Sequence, residues 1–364
     1  MRFDIDRGVL AEVLGGVVSC LPAKTTYAIL QNVLLGVEDG KLTLSGTDLE
    51  VFVTKQLPLE GQSESGRVVL PGRKFLDIIR EIRDARVTVV GTDQRVKVEA
   101  GSIKTAFNAI DPAEYPEMAP VPEGVRTEFP LATLLAMHDA VGFAASKDEG
   151  RPEMCGLSWE VGKAETRLVA TDGHRLGLST HKGKFLGRIK AIITPKVFGL
   201  FPRGESVAIV TSDPAKVGFV FQSTTVVARI IDGKYPDFER VIPKSSPGHA
   251  VLDRDELTAA LRRAAVFAHP IGRAVALSFS KSRLAIHAEA PDVGSSDEDM
   301  TCEYGGDPLR IGFNAAYMLE VLKHLTPGNL TMELSSPLAA VLVRSATPTP
   351  DVDDAYLLMP IRLD

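Results

Sequence analysis

Apolar and polar positions along this chain switch between two periods, and the switching itself repeats. In residues 3–21 a short alternating stretch gives way to Val9, Leu10, Val13, Leu14 and Val17, the spacing of one helix face, so a strand followed by a helix is expected. Residues 29–59 alternate with period two around a turn at Glu38-Asp39-Gly40, which predicts three or so antiparallel strands. A further strand at residues 66–70 runs into Pro71-Gly72, and Phe75, Ile78, Ile79 and Ile82 mark a second helix. Strands return over residues 87–110. After Asp111-Pro112-Ala113-Glu114-Tyr115-Pro116, the Pro-rich residues 116–122 read as a linker.

The same order then starts again. Residues 129–145 read as a strand end and a helix, residues 156–180 as strands around a turn, and Pro195 introduces a short helix around Val197, Leu200 and Phe201. Strands over residues 207–231 close at Asp232-Gly233-Lys234-Tyr235-Pro236-Asp237. A third pass begins at His249, with a helix over residues 255–267, strands over 274–304, a helix introduced by Gly312-Phe313-Asn314, and last strands from Asn329. Thr47-Asp48 and Thr171-Asp172, Pro71 and Pro195, and Tyr115-Pro116 and Tyr235-Pro236 recur at a period of about 120 residues, with Asn314 close to the same interval after Pro195. That period is too long for a solenoid and long enough for each copy to bury its own core. The expected fold is α+β: three tandem copies of one domain with two helices and about eight strands, at residues 1–121, 122–245 and 246–364. Strands lying between two helices in each copy let sheets form an outer layer while the helices share one face.

A length of 364 residues agrees with two or three domains, and 45% hydrophobic with 24% charged residues is globular composition. No run of about 18 apolar residues is present and the first residues lack a signal-peptide core, so a cytoplasmic location with no membrane partner is expected. Cys20, Cys155 and Cys302 lie far apart without a Cys or His at metal-finger spacing; they read as reduced, mostly buried residues, with no metal and no cofactor.

A net charge of −6 argues against coating nucleic acid by bulk attraction, but an average hides its distribution. Arg73 and Arg80 fall opposite Phe75 and Ile79 on their helix, which also carries Lys74 and Arg83. Arg262 and Arg263 flank the face opposite Leu257 and Leu261; Lys196, Arg203 and Lys323 hold related positions, and Lys24 follows the first helix. One such residue is ordinarily a solvated helix face. Recurrence in equivalent helices makes the set a candidate for phosphate contacts independent of sequence, since no aromatic residues are interleaved to stack bases. The acidic runs Ser295-Ser296-Asp297-Glu298-Asp299 and Asp351-Val352-Asp353-Asp354 read as solvated loops.

Candidate chemistry concentrates in Thr171-Asp172-Gly173-His174-Arg175-Leu176, where Asp172 could orient His174 for acid–base or nucleophilic catalysis. The first repeat has Thr47-Asp48-Leu49-Glu50 in that slot, so Thr-Asp also has a structural use in ending a strand and capping a turn. No His-x-x-His or Cys-x-x-Cys spacing, phosphate-binding loop or nucleophile elbow accompanies it. His138, beside Leu134, Met137 and Val141, reads as a core histidine.

Three repeats, the hexapeptide, Asp232-Gly233-Lys234-Tyr235-Pro236-Asp237-Phe238-Glu239-Arg240-Val241-Ile242-Pro243 and the ending Met359-Pro360-Ile361-Arg362-Leu363 together resemble the bacterial sliding clamps, the β subunits of replicative DNA polymerase III, over the whole chain. The resemblance implies the DNA clamp fold and a head-to-tail homodimer whose six domains ring double-stranded DNA, helices lining the hole. It implies no catalysis and tethering of the polymerase. It also implies a pocket for short linear motifs of the replicative polymerase, the clamp loader, other polymerases and repair proteins. Carried over, that pocket comprises Met154, Thr171, Gly173, His174, Arg175, Leu176, Pro236, Arg240, Val241, Leu357, Leu358 and Met359, with Asn314, Tyr317, Leu338 and Ala340 as an adjoining subsite. For the dimer, the edge strand with Ile103, Lys104 and Phe107 is expected to meet the third repeat of a second molecule near Val266 and Phe267, Glu298 facing Lys74 and Lys104. The chain departs from the family pattern at Asp364, beyond the usual Arg-Leu end, and at Arg151-Pro152-Glu153, where some members carry DNA-contacting aromatics. A hydrolase using Asp172 and His174, and a ring that binds peptides without DNA, are the rival readings.

Overall fold

The computed structural model describes residues 1–243, 245–269 and 272–363; Asp364 lies outside them. Four antiparallel sheets divide between two compact units, Met1–Leu134 with Ile193–Ile230, and Leu135–Ile192 with Ile231–Asp364.

In the first unit a four-stranded sheet runs Arg2–Asp6, Arg86–Gly91, Arg95–Ala100, Ile103–Asn108. An eight-stranded sheet runs Gly66–Pro71, Asn32–Glu38, Lys41–Thr47, Val51–Pro58, Thr224–Arg229, Lys216–Val220, Val207–Ser212, Val125–Pro130. Its middle pair joins first-repeat to second-repeat strands, Val53 opposite Val226. Helix Arg7–Val18 starts where the Asp6 carboxylate accepts the Val9 N–H, and it packs on helix Gly72–Glu81. Phe3, Leu10, Leu14, Val17, Phe75 and Ile79 are fully buried, whereas Val9, expected on the buried face, is 45% exposed. The stripe that reaches the core is the narrower one through Leu10, Leu14 and Val17.

The second unit repeats this plan. Its nine-stranded sheet runs Ile189–Ile193, Leu157–Val161, Glu165–Thr171, Arg175–Lys182, Val352–Leu358, Val341–Ser345, Asn329–Leu334, Gly248–Asp253, Glu303–Gly305. Here a second-repeat strand pairs with the last strand of the third, Leu176 opposite Leu357. A four-stranded sheet runs Gly294–Thr301, Arg283–Ala290, Ala274–Ser280, Leu309–Asn314. Helices Arg254–Ala264 and Ala315–His324 pack together, capped by the Asp253 and Asn314 side chains. The first ends short of the expected residue 267, because Ala265 already takes the cap position. The middle copy's second helix is a single 3₁₀ segment, Pro195–Leu200, capped by Thr194.

Both acidic runs expected as loops are strands. Gly294–Thr301 is a sheet edge on which Asp297 pairs with His287, Glu298 with Arg263 and Asp299 with Arg283. On an edge strand carboxylates stay in solvent and find cross-strand cations, so charge does not exclude pairing there. Val352–Leu358 likewise begins polar and ends in the core. Among the described residues no helix is long and apolar enough to cross a membrane, and no group of three or more His, Cys, Asp or Glu could hold a metal ion.

Candidate functional site

The hexapeptide is a turn between Glu165–Thr171 and Arg175–Lys182. Thr171 Oγ1 donates to the Arg175 carbonyl at 2.7 Å and accepts the Gly173 N–H at 3.1 Å. Asp172 Oδ1 accepts the backbone N–H of His174 and of Arg175, and Oδ2 accepts Arg175 Nε at 3.2 Å. Gly173 sits at φ +88, a left-handed conformation that glycine adopts without a steric penalty. Asp172 therefore touches only the main chain of His174. The imidazole instead stacks on Tyr317, centroids 5.9 Å apart, which removes the oriented base that the catalytic reading requires.

Around this turn lies an apolar cavity of about 170 Å³, lined by Met154, Thr171, Gly173, Arg175, Leu176, Pro236, Asp237, Phe238, Val241, Leu357 and Met359. Leu176 and Leu357 share a buried cluster with Val169, Leu342 and Ala355, so the floor is fixed by sheet pairing. Tyr235 holds the facing segment: its buried hydroxyl accepts the Thr171 N–H at 3.1 Å and donates to the Val169 carbonyl, and burial raises its pKa. Val241 and Met359 remain exposed at the mouth. The tail is anchored twice, by the Met359 N–H on the His174 carbonyl at 2.8 Å and the Ile361 N–H on the Gly312 carbonyl at 2.9 Å. A side chain at Gly312 would meet Leu363 at 2.7 Å, so glycine lets the tail cross that strand.

Three expected pocket residues do not line it: His174, whose ring stacks on Tyr317, Leu358 and Arg240. Leu358, 2% exposed, belongs to the third repeat's core with Tyr356, because successive strand residues point to opposite faces and Leu357 takes the pocket side. Arg240 stands 84% exposed at the rim, paired with Asp237 at 2.7 Å. Sequence reasoning missed Asp237 and Phe238, although they follow Tyr235-Pro236 directly and the 3₁₀ turn Phe238–Arg240 folds them back. Of the subsite, Tyr317 lies under the Arg175 guanidinium at 4.7 Å, Asn314 caps the helix carrying Tyr317, and Ala340 packs behind the pocket floor. Leu338 lines a separate groove of about 430 Å³ with Arg310, Ile311, Gly312, Pro337, Ile361, Arg362 and Leu363.

Among the candidate phosphate contacts, Lys24, Arg73, Lys74, Arg80, Arg83, Arg203 and Arg262 are exposed, Arg73 also donating to the Leu21 carbonyl at 3.1 Å. Three are engaged internally. Lys196 donates to the Cys20 carbonyl and pairs with Asp48, Arg263 grips Glu298 through two nitrogens, and Lys323 pairs with Glu320 at 2.9 Å. Lys55, outside the candidate set, lies with its stem against Gly16 of the first helix, and burial lowers its pKa. At the expected interface, Ile103 and Phe107 are half-buried on a sheet edge, Phe107 packing edge-on against Phe75, and Lys104 is exposed. Val266 is 68% exposed, Phe267 packs against its own core, and Glu298 is the partner of Arg263.

Comparison with known proteins agrees with this architecture. Models of the DNA polymerase III beta subunit match along the chain: N-terminal domain at residues 1–119, central domain at 129–237 and C-terminal domain at 239–362. The beta sliding clamps of Escherichia coli (strain K12) and Pseudomonas aeruginosa are 32% and 30% identical, each over the full length of both chains. The crystal structure of the DNA polymerase III subunit beta from Pseudomonas aeruginosa superposes with a TM-score of 0.93 at 29% identity, covering all of both chains. A chain of three matched repeats, carrying a turn where a catalytic pair was conceivable, thus belongs to the DNA polymerase III β-subunit family of sliding clamps and is not an enzyme.

Proposed function

We propose that two copies of this chain close a ring around duplex DNA and tether the replicative polymerase through the pocket at Leu176. Repeat equivalence supports the ring. Val51–Pro58 and Arg175–Lys182, the third strands of their repeats' hairpin series, each pair with the last strand of the following repeat. Their counterpart in the third repeat is the free edge Gly294–Thr301, and the unpaired last strand is Ile103–Asn108 of the first. Joining these edges head to tail, twice, gives each boundary between chains the strand pairing that the two internal boundaries already have. The register of the internal pairs, carried over, sets Lys104 opposite Asp297, with Glu298 on the helix side of the same strand. The interface then centres on residues 294–301, with Val266 and Phe267 at its margin. The three domains are residues 1–121, 122–245 and 246–364.

Exposed Arg73, Lys74, Arg80 and Arg262 on helices supply phosphate contacts without base readout on an otherwise acidic protein. The observation that carries the docking role is the apolar cavity floored by Leu176 and Leu357, with Met359 and Val241 at its mouth and Arg175 at its wall. Each apolar anchor buried there contributes about 1.5–3 kcal/mol. Ordering a flexible peptide offsets much of that, leaving micromolar affinity, about −8 kcal/mol. Polymerases, the clamp loader and repair proteins would compete for it through short linear motifs, in the cytoplasm.

Calorimetric titration with a polymerase-derived peptide tests this reading. Truncation before Met359 removes a pocket wall and both tail anchors while sparing Leu358 in the core. The intact chain should bind one peptide with micromolar affinity and the truncated chain should not; equal affinity for both would place the site elsewhere.

A further inference from the structure

The docking site is built twice in this chain, and we infer that the Leu49 side chain fills the second copy from within. The inference rests on the docking role just proposed for the Leu176 pocket.

The first unit holds the same turn. Thr47 Oγ1 donates to the Val51 carbonyl at 2.9 Å and accepts the Leu49 N–H at 2.8 Å, as Thr171 does with Arg175 and Gly173. Asp48 Oδ1 accepts the N–H of Glu50 and Val51, as Asp172 does from His174 and Arg175. The Glu50 carbonyl accepts the Arg229 N–H at 2.8 Å, and the His174 carbonyl accepts the Met359 N–H at the same distance. This fixes the correspondence of the walls. Phe52 and Val227 stand where Leu176 and Leu357 form the floor, and all four are buried. Leu30 donates to the Tyr27 carbonyl as Met154 donates to the Arg151 carbonyl, both at 3.0 Å, which puts Leu30 in the place of Met154.

The copies differ at the residue between Thr-Asp and the strand. A Cβ built on Gly173 would point at Met154, 3.9 Å from its Cε, and so into the pocket. Leu49 occupies that position at φ +76, a conformation that residues with a β-carbon rarely adopt. With the same turn and a similar φ, its half-buried side chain leaves the backbone along the direction that in the other unit leads into the open pocket. Backbone strain kept where the duplicate site has glycine has a local use. The turn is also clamped differently: the outer oxygen of Asp48 is held by Lys196, which reaches the Cys20 carbonyl at 2.5 Å, whereas that of Asp172 is held by Arg175. Leu49 thereby limits the chain to one docked peptide.

Reciprocal exchange tests this. With the polymerase-derived peptide, wild-type stoichiometry reports on the docking role itself, one site per chain being expected. Leu49→Gly should bind two peptides per chain, the second about tenfold weaker because Arg229 replaces Met359 at the mouth, and adding Phe52→Asp should return the count to one. Leu49→Ala, too short to cover the floor, should also show the second site, which guards against loss of fold in the glycine variant. Gly173→Leu should abolish binding with the melting temperature within a few degrees of wild type. A wild type that binds one peptide, with both Leu49 variants still binding one, overturns the inference; so does a Gly173→Leu chain that binds as tightly as wild type.

Discussion

Asp172 is paired with Arg175, at 3.2 Å, with their side chains only 16% and 14% exposed. The pair sits beneath the cavity mouth, and the guanidinium is sandwiched by Tyr317 and Phe143 at 4.7 and 5.1 Å and bonded to the Phe143 carbonyl. A carboxylate that satisfies two backbone donors and a half-desolvated cation shapes a binding surface; it has no free oxygen left to steer an imidazole.

Asp172→Ala should therefore destabilise the fold by about 2–4 kcal/mol, since it removes charge-assisted hydrogen bonds and leaves Arg175 partly buried without its counter-ion. Asp172→Asn, which keeps the Oδ1 acceptor, should cost less than half of that. Thermal melts of the two variants check the order, and equal losses would mean that the capping bonds contribute little.

Burial lowers the pKa of His138, His181 and His324, the last stacked on Phe143 at 4.3 Å. Each is neutral when folded, so unfolding below the ordinary imidazole range takes up protons that the folded chain excludes. Stability should be full above about pH 6.5 and fall as pH drops through the lowered values. His324→Phe keeps the stack and removes one titration. Calorimetric melts between about pH 7.5 and 5.5 should show a shallower loss for the variant; parallel curves would exclude His324 as a contributor.

Much of this was legible in the chain itself, because physical periodicity survives duplication. Thr47-Asp48 beside Thr171-Asp172 announced one turn used twice, and the hydrogen bonds repeat atom for atom. Leu358 was misplaced although strand parity could have separated it from Leu357. Lys196 could not be read as an internal residue, because its partner Asp48 lies 148 positions away and only the fold brings them together. The acidic run at residues 295–299 defeated composition-based reasoning: its partners Arg263, Arg283 and His287 are cross-strand or helical neighbours invisible in a linear pattern.

The proposed subunit contact predicts a charge exchange. Lys104→Glu places like charges opposite Asp297 and should weaken the dimer by up to about 1 kcal/mol at each of its contacts. Asp297→Lys should do the same against Lys104, and the double exchange should restore association. Sedimentation equilibrium reads the constants; three variants indistinguishable from wild type would move the interface away from residues 103–108 and 294–301.

The central claim is topological, so the most direct measurement compares closed with cut DNA. Protein assembled by a clamp loader on nicked circular DNA should co-elute with that DNA at salt high enough to screen scattered Lys and Arg contacts. Linearising the circle with a restriction enzyme should then release it within the time of the experiment. Retention on the linear product at the same salt, or loss from the intact circle, would contradict a ring that holds DNA by enclosing it.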